Sequence, residues 1–405
     1  MGEKLLVSPS PHVRAKGKTS LIMLMVIVAL LPSCVYGVLN FGMHALLILV
    51  LSTGSAVAAE LVYELVMRKE ITVTDGSAAV TGLLIGMNMP PMIAWWIPVI
   101  GSVFAIVVVK QLFGGLGRNF MNPALAARCF LVLAFSAQMT AFTTGTGVLS
   151  QVTEPTVMAE AAAEADAGAN ENAGTDADST ATAWTEAQTE AAAKTDADSA
   201  ATAETEETAD VASGATAETE AAASETEAQD SGKLDAVSTA TPLKYLKKGQ
   251  SFDLKALFLG NTPGTIGETS ALLLLIGGIF LMLLGVIDWR IPVFYIGSFG
   301  VLVLITAAAR GYDAPLQYML QELFAGGLMM GAFFMATDYV SSPYTKSGRI
   351  LFALIIGVMT WLYRMFGMYK EGVSNAIILA NCLTPLIDRL TRPVAFGIRK
   401  KEASS

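Results

Sequence analysis

Charge is scarce in this chain. Only 15% of its 405 residues are Asp, Glu, Lys or Arg, against roughly 25% in a soluble domain. With 53% hydrophobic residues, a water-soluble core could not hide the apolar surface, and the bilayer is its natural solvent. Cysteine is rare too. Cys34, Cys129 and Cys382 all fall in apolar runs, with no CxxC pair, which excludes an iron–sulfur or zinc site held by this chain alone. The two histidines, His12 and His44, lack metal-ligand spacing. His44 opens an apolar run and reads as a capped or interfacial side chain. No cleavable leader is expected: charge continues to Lys18, and the apolar run that follows is too long for a signal core.

The net charge of -9 is local. Residues 151–232 hold 20 of the 35 acids and one base, Lys194, leaving 15 acids against 25 bases elsewhere. A basic remainder suits a membrane protein with positive cytoplasmic loops, and nothing in it points to nucleic acid. The acidic tract is built from Ala, Thr, Glu and Asp, and Thr175-Asp-Ala-Asp-Ser179 recurs as Thr195-Asp-Ala-Asp-Ser199. Such composition cannot bury enough surface to offset ordering entropy, so a disordered insert is expected there.

The expected fold is an all-α integral membrane protein with about ten transmembrane helices. The apolar runs lie at 20–38, 43–66, 77–90, 92–110, 124–143, 267–287, 291–309, 322–340, 349–366 and 372–390. The third ends in Met89-Pro90-Pro91, as helices that stop inside a membrane against other protein do. Lys and Arg clusters at 4–18, 68–69, 110–128, 346–349 and 389–401 share one side if both termini are cytoplasmic. Arg310, Arg364 and Lys370 fall on the other. The expected organisation is a cytoplasmic N-terminus (1–19), a first membrane half (20–145), the acidic extracytoplasmic insert (146–232), a further extracytoplasmic segment (233–265), a second membrane half (266–392) and a cytoplasmic C-terminus (393–405). The halves read as a repeat: Trp96-Ile97-Pro98 with Gly101-Ser102 and Phe113-Gly114-Gly115-Leu116 returns as Trp289-Arg290-Ile291-Pro292 with Gly297-Ser298 and Phe324-Ala325-Gly326-Gly327-Leu328.

Chemistry concentrates in a few places. Asp235-Ala236-Val237-Ser238-Thr239-Ala240-Thr241-Pro242-Leu243 is, on composition, an Asx or Ser/Thr turn before a proline. Read functionally, small neighbours leave the Thr241 hydroxyl room to attack the phosphorus of a bulky nucleotide, and the nearby carboxylate can orient it or hold a metal. Gly114, Gly115 and Gly117, with Asn122, allow backbone to approach a planar or phosphate group; helix packing is the competing explanation. Polar groups in apolar runs are candidates for function: Glu60, Glu64, Asn88, Asn122, Thr337, Asp338, Asn375 and Asn381. Interfacial capping is their ordinary alternative, and Glu322 is expected at an interface. Trp95 and Trp96 suit an aromatic belt.

The segment at 235–241 resembles the flavinylation motif Asp-x-x-Ser/Thr-Gly/Ser-Ala-Thr of a family formed by membrane subunits of Rnf complexes and of the sodium-pumping NADH:quinone reductase. Asp235, Ser238, Ala240 and Thr241 match, and Thr239 departs from the usual Gly or Ser. The resemblance extends to Asp75–Pro91, to Phe113–Ala124 around Arg118-Asn119-Phe120-Met121-Asn122-Pro123, to Phe334–Pro343, and to Glu371-Gly372-Val373 and Asn381. The acidic insert and the Pro-Leu ending lean to the Rnf branch. The resemblance implies FMN joined by a phosphoester to Thr241, made outside the cytoplasm by a separate flavin transferase that uses FAD. It implies partner subunits, among them an extracytoplasmic FMN-bearing subunit and membrane iron–sulfur subunits, and ferredoxin:NAD chemistry coupled to Na+ or H+. A second, noncovalent flavin such as riboflavin is left open for the loops at 113–123 and 324–338, as is an ion route. Asp210-Val211-Ala212-Ser213-Gly214-Ala215-Thr216 fits the same motif inside the acidic tract, making Thr216 a rival site. A subunit of the quinone reductase, a channel or transporter without redox chemistry, and a structural anchor remain alternatives.

Overall fold

The computed structural model describes residues 19–142, 243, 246, 253–260, 262, 264–367 and 372–392. All belong to one compact unit. The acidic tract, both termini and the motif at 235–241 lie outside the described residues. Every element among the described residues is helical. α1 (Thr19–Phe41) and α2 (Met43–Val66) lead to the short α3 (Ser77–Met87). α4 (Trp96–Val103) widens into a π-helix over Phe104–Gln111, and α5 (Pro123–Ala134) and α6 (Ser136–Met139) follow. Then come α7 (Leu254–Leu259), α8 (Ala271–Leu283), α9 (Arg290–Ala309), α10 (Pro315–Phe324) and α11 (Leu328–Met330), which runs into a π-helix over Gly331–Met335. α12 (Lys346–Phe366) and α13 (Val373–Leu390) complete the order.

α1, α2, α9 and α12 are long and apolar enough to cross a bilayer, at 23, 24, 20 and 21 residues. At ~1.5 Å per residue each exceeds or matches the ~30 Å hydrocarbon core. α3, α5 and α8 are apolar but shorter. Packing is inverted relative to a soluble protein. Aliphatic side chains such as Leu24, Leu31, Val50, Val62, Val301 and Ile305 face outward, while the largest fully buried side chains include Arg364 and Lys110. Small residues let the helices touch: Gly82 of α3 lies against the backbone of Ser52 and Thr53 on α2, and Gly357 of α12 lies against Tyr295 and Ser298 on α9.

Two expected runs are broken. The run at 322–340 divides into α10, an extended Ala325, and α11 with its π turn. Gly326, with φ of 68°, sits at the break in a conformation that favours glycine. The run at 124–143 stops at Phe135. Glu322, expected at an interface, is instead buried beneath α12 and paired with Arg364. A second internal correspondence also emerges. Gly82-Leu-Leu-Ile-Gly86 of α3 matches Gly327-Leu-Met-Met-Gly331 at α11, and Asn122…Cys129 of α5 matches Asn375…Cys382 of α13. It pairs the two short internal helices with each other, which the Trp-Ile-Pro register does not.

Arg364 donates from Nη1 to the Glu322 carbonyl and carboxylate and from Nη2 to the Ala325 carbonyl, 3.0 Å away. It therefore neutralises an acid and caps the end of α10 together. Arg364→Met should cost about 3–5 kcal/mol by stranding Glu322, read as a lower melting temperature of the detergent-solubilised protein. In the loop before α9, Asp288 accepts from Arg349 at 2.6 Å and Arg290 at 3.0 Å. Burial pushes its pKa up, but the Arg290 amide and the two guanidinium groups outweigh that and hold it below the ordinary carboxylate value. A lowered folded-state value stabilises above the ordinary carboxylate range and is lost as pH falls through it. Asp288→Asn should thus melt earlier than wild type at neutral pH, and the gap should close on acidification.

Candidate functional site

α5 starts where it does because Asn122 is its N-cap. The Oδ1 atom accepts from the amides of Ala124 (3.0 Å) and Leu125 (3.4 Å), and Pro123 fills the first helical position. The Nδ2 atom of Asn122 donates to the Met335 carbonyl at 3.2 Å, joining the α5 terminus to the π-helix at Gly331–Met335. The loop before it needs its glycines for shape. Gly114, Gly115 and Gly117 all have φ between 91° and 111°, so the turn chemistry accounts for them without a ligand.

Beneath this loop lies a cavity of about 100 Å³. Its polar lining comes from Ser77, Thr81, Lys110, Asn119, Thr337 and Asp338, with Asn122 at the α5 end. Residues from 113–123 and from 324–338, far apart in the chain, thus share one wall. At ~30 Å³ per water the space suits a few waters. It is well under the ~300 Å³ of a typical small-molecule site.

Deeper in the bundle, α3 ends inside the protein at Asn88. The carbonyls at and just past its end are met by the turn before α8: Gly267 N donates to Met87 O (2.7 Å) and Ile266 N to Met89 O (3.1 Å). Ser33 of α1 donates to Gly267 O at 3.2 Å. Arg128 of α5 reaches both the Asn88 side chain and Glu268 Oε1, the latter at 3.0 Å. Irregular backbone at membrane depth is tolerated only when protein satisfies it in this way. Sequence reasoning alone does not single out Arg128 and Glu268; their signal is an ionisable residue in or beside an apolar run.

The remaining polar groups divide by role. Glu64 accepts from the amide and hydroxyl of Thr72 and closes the α2 terminus. Asn375 is exposed and accepts from Cys129. His44 meets the Pro91 carbonyl at 2.7 Å, as a capping side chain would. Asn381 is buried with both side-chain polar atoms unpartnered among the described residues. Thr241, Asp235, Ser238, Ala240 and Thr216 lie outside the described residues. Leu243 and Leu246, just after Thr241, are buried in the main core cluster.

Long apolar helices, an apolar exterior and ion pairs buried inside the bundle define a helical, membrane-embedded protein. The chain belongs to the NQR2, RnfD, RnfE family, whose signature matches residues 6–397. It is 38% identical to the D subunit of the Na(+)-translocating ferredoxin:NAD(+) oxidoreductase complex of Acetobacterium woodii, over 99% of this chain and 98% of that one. It is 36% identical to the D subunit of the proton-translocating ferredoxin:NAD(+) oxidoreductase complex of Clostridium ljungdahlii, over 97% and 96%. It is also 36% identical to the D subunit of the ion-translocating oxidoreductase complex of Stutzerimonas stutzeri, over 93% and 91%.

Asn122→Ala should cost about 1 kcal/mol for the lost cap and loosen the contact to Met335. Faster amide hydrogen exchange confined to 122–126 and 331–336 would report both.

Proposed function

We propose that this chain is the D subunit of an ion-translocating ferredoxin:NAD+ oxidoreductase complex of the cell membrane, with FMN on Thr241. The support is kinship with subunits of that name over nearly the whole chain. Ten spans in two halves, cytoplasmic termini and an extracytoplasmic insert are the topology this reading carries. Its partners are the other subunits of the complex, including an extracytoplasmic FMN-bearing subunit and membrane iron–sulfur subunits, with a flavin transferase acting once during maturation.

Buried Leu243 and Leu246 favour Thr241 over Thr216. Thr241 is two residues from a side chain fixed in the core, so at most about 7 Å of extended chain separates them. Thr216 lies 27 residues before the same anchor. Electron transfer needs a fixed distance, and closeness in the chain to a buried leucine supports Thr241 as the carrier. Asp235 and Ser238 would orient the Thr241 hydroxyl during attachment, and Ala240 would leave space beside it. Once bound, the isoalloxazine supplies reversible electron uptake, while the protein sets its position and surroundings.

The cavity below Gly114, Gly115, Gly117 and Asn122 has the polar lining for a second, noncovalent flavin but would have to widen to admit one. Relatives named for Na+ and for protons stand at 38% and 36% identity, so the proposed function takes in either ion. A transporter without redox chemistry is the rival reading, supported by the broken helices α3 and α11.

Co-expression with a flavin transferase, followed by denaturing electrophoresis, should give a fluorescent band. Thr241→Ala should abolish it and Thr216→Ala should leave it intact. A band lost only in Thr216→Ala would move the attachment site. No band in any sample would bring the transporter forward.

A further inference from the structure

Among the described residues three buried ion pairs cross the bundle, and one differs chemically from the others. Arg128 with Glu268 and Arg364 with Glu322 use guanidinium groups, which do not release protons in proteins. The third uses Lys110 with Glu60, 2.5 Å apart, with side chains 2% and 0% exposed. An ammonium can give its proton up. A pair built only to stabilise gains nothing from that property.

The surroundings of Lys110 connect it to the surface. Its Nζ atom donates to Glu60 Oε1 and, at 2.6 Å, to Ser77 Oγ. Ser77 Oγ donates at 2.5 Å to Oδ1 of Asp75, which lies half-buried in the turn before α3. Four side chains thus form one unbroken hydrogen-bonded line from a partly exposed carboxylate to a fully buried one. Lys110 and Ser77 also line the water-sized cavity. At the inner end, Gln111 Nε2 donates to the same Glu60 Oε1 at 2.8 Å. The π-helix brings two consecutive residues onto one oxygen, and such turns are frequent at functional sites. Glu60 Oε2 is left buried with no partner among the described residues.

We propose that Asp75, Ser77, Lys110 and Glu60 form a proton relay that loads Glu60 from the surface at the α3 N-terminus. Lys110 passes a proton from Nζ to Glu60, forming an O–H bond as an N–H bond breaks. Asp75 first takes a proton from water; the Ser77 hydroxyl, turned from Asp75 to Nζ, then gives its proton to the neutral amine as it accepts one from the Asp75 carboxyl. The net change is one proton moved from water to the Glu60 carboxylate, with no electron transferred. Other ionisable groups nearby are Glu64, one turn along α2 and bonded to Thr72, Tyr63, whose hydroxyl reaches the Gln111 carbonyl, and Asp338 on the shared cavity. The relay does not rest on the flavin assignment.

Infrared difference spectra of the assembled complex in lipid, recorded as pH is stepped down, test it. A protonated-carboxyl band should appear that is missing in Glu60→Gln. Should that variant fail to assemble, Glu60→Asp, which shifts the band, makes the same assignment. On transfer to heavy water the band should shift quickly in wild type. The shift should lag on the order of tenfold or more, about 1.4 kcal/mol of barrier, in Ser77→Ala. Absence of any Glu60 band would make the pair a fixed ionic clamp and overturn the proposal. An unchanged exchange rate in Ser77→Ala would overturn it equally, because the proton would then reach Glu60 another way.

Discussion

A charge inside a lipid-embedded bundle has to be neutralised within hydrogen-bond reach, and the rest of this structure follows from that requirement. Stranding one ion there costs several kcal/mol. Glu60, Glu268 and Glu322 are each matched by a base: Lys110, Arg128 and Arg364. Every one of these pairs joins separate elements: α2 to the π-helix after α4, α5 to the segment before α8, and α10 to α12. They act as pins as well as neutralisers. Moving any of these helices would expose both partners of a pair to hydrocarbon.

The same requirement explains how the helices can be interrupted. α3 can stop inside the bundle because the Gly267 amide and the Asn88 side chain meet the carbonyls of Met87 and Leu84, while Arg128, itself paired with Glu268, holds Asn88. α10 stops because Arg364 covers its carbonyls. Interrupted helices create polar ends inside a membrane, and those are the places where an ion or a cofactor can be held. The shared cavity forms elsewhere, near the contact of the α5 cap with the π-helix after α11 through Asn122 and Met335.

Stability and function are thus drawn from one set of groups, separated by chemistry. Guanidinium pairs lock, because they spread several donors over carbonyls and carboxylates and keep their protons. The lysine pair sits at the end of a hydrogen-bonded line to the surface and can exchange. The two kinds differ in what they can do: the guanidinium pairs form a rigid frame that keeps distances constant, and the lysine pair is a site whose charge can change.

The membrane class, the helical fold and the approximate positions of the long helices were determined by the sequence alone. A run of apolar residues acts locally: each side chain leaves water whatever its distant neighbours are. The family was legible for a similar reason, through contiguous strings such as Asp75–Pro91 and Phe113–Ala124. Glu322 and the break near Gly326 were not legible, nor was the role of Arg128, because each depends on residues far along the chain. Lys110 finds Glu60 across 50 positions and Arg128 finds Glu268 across 140. The choice of partner for a buried charge is made by three-dimensional proximity, which no local pattern encodes. Only the tertiary structure decided which polar residues cap, which clamp and which connect to water.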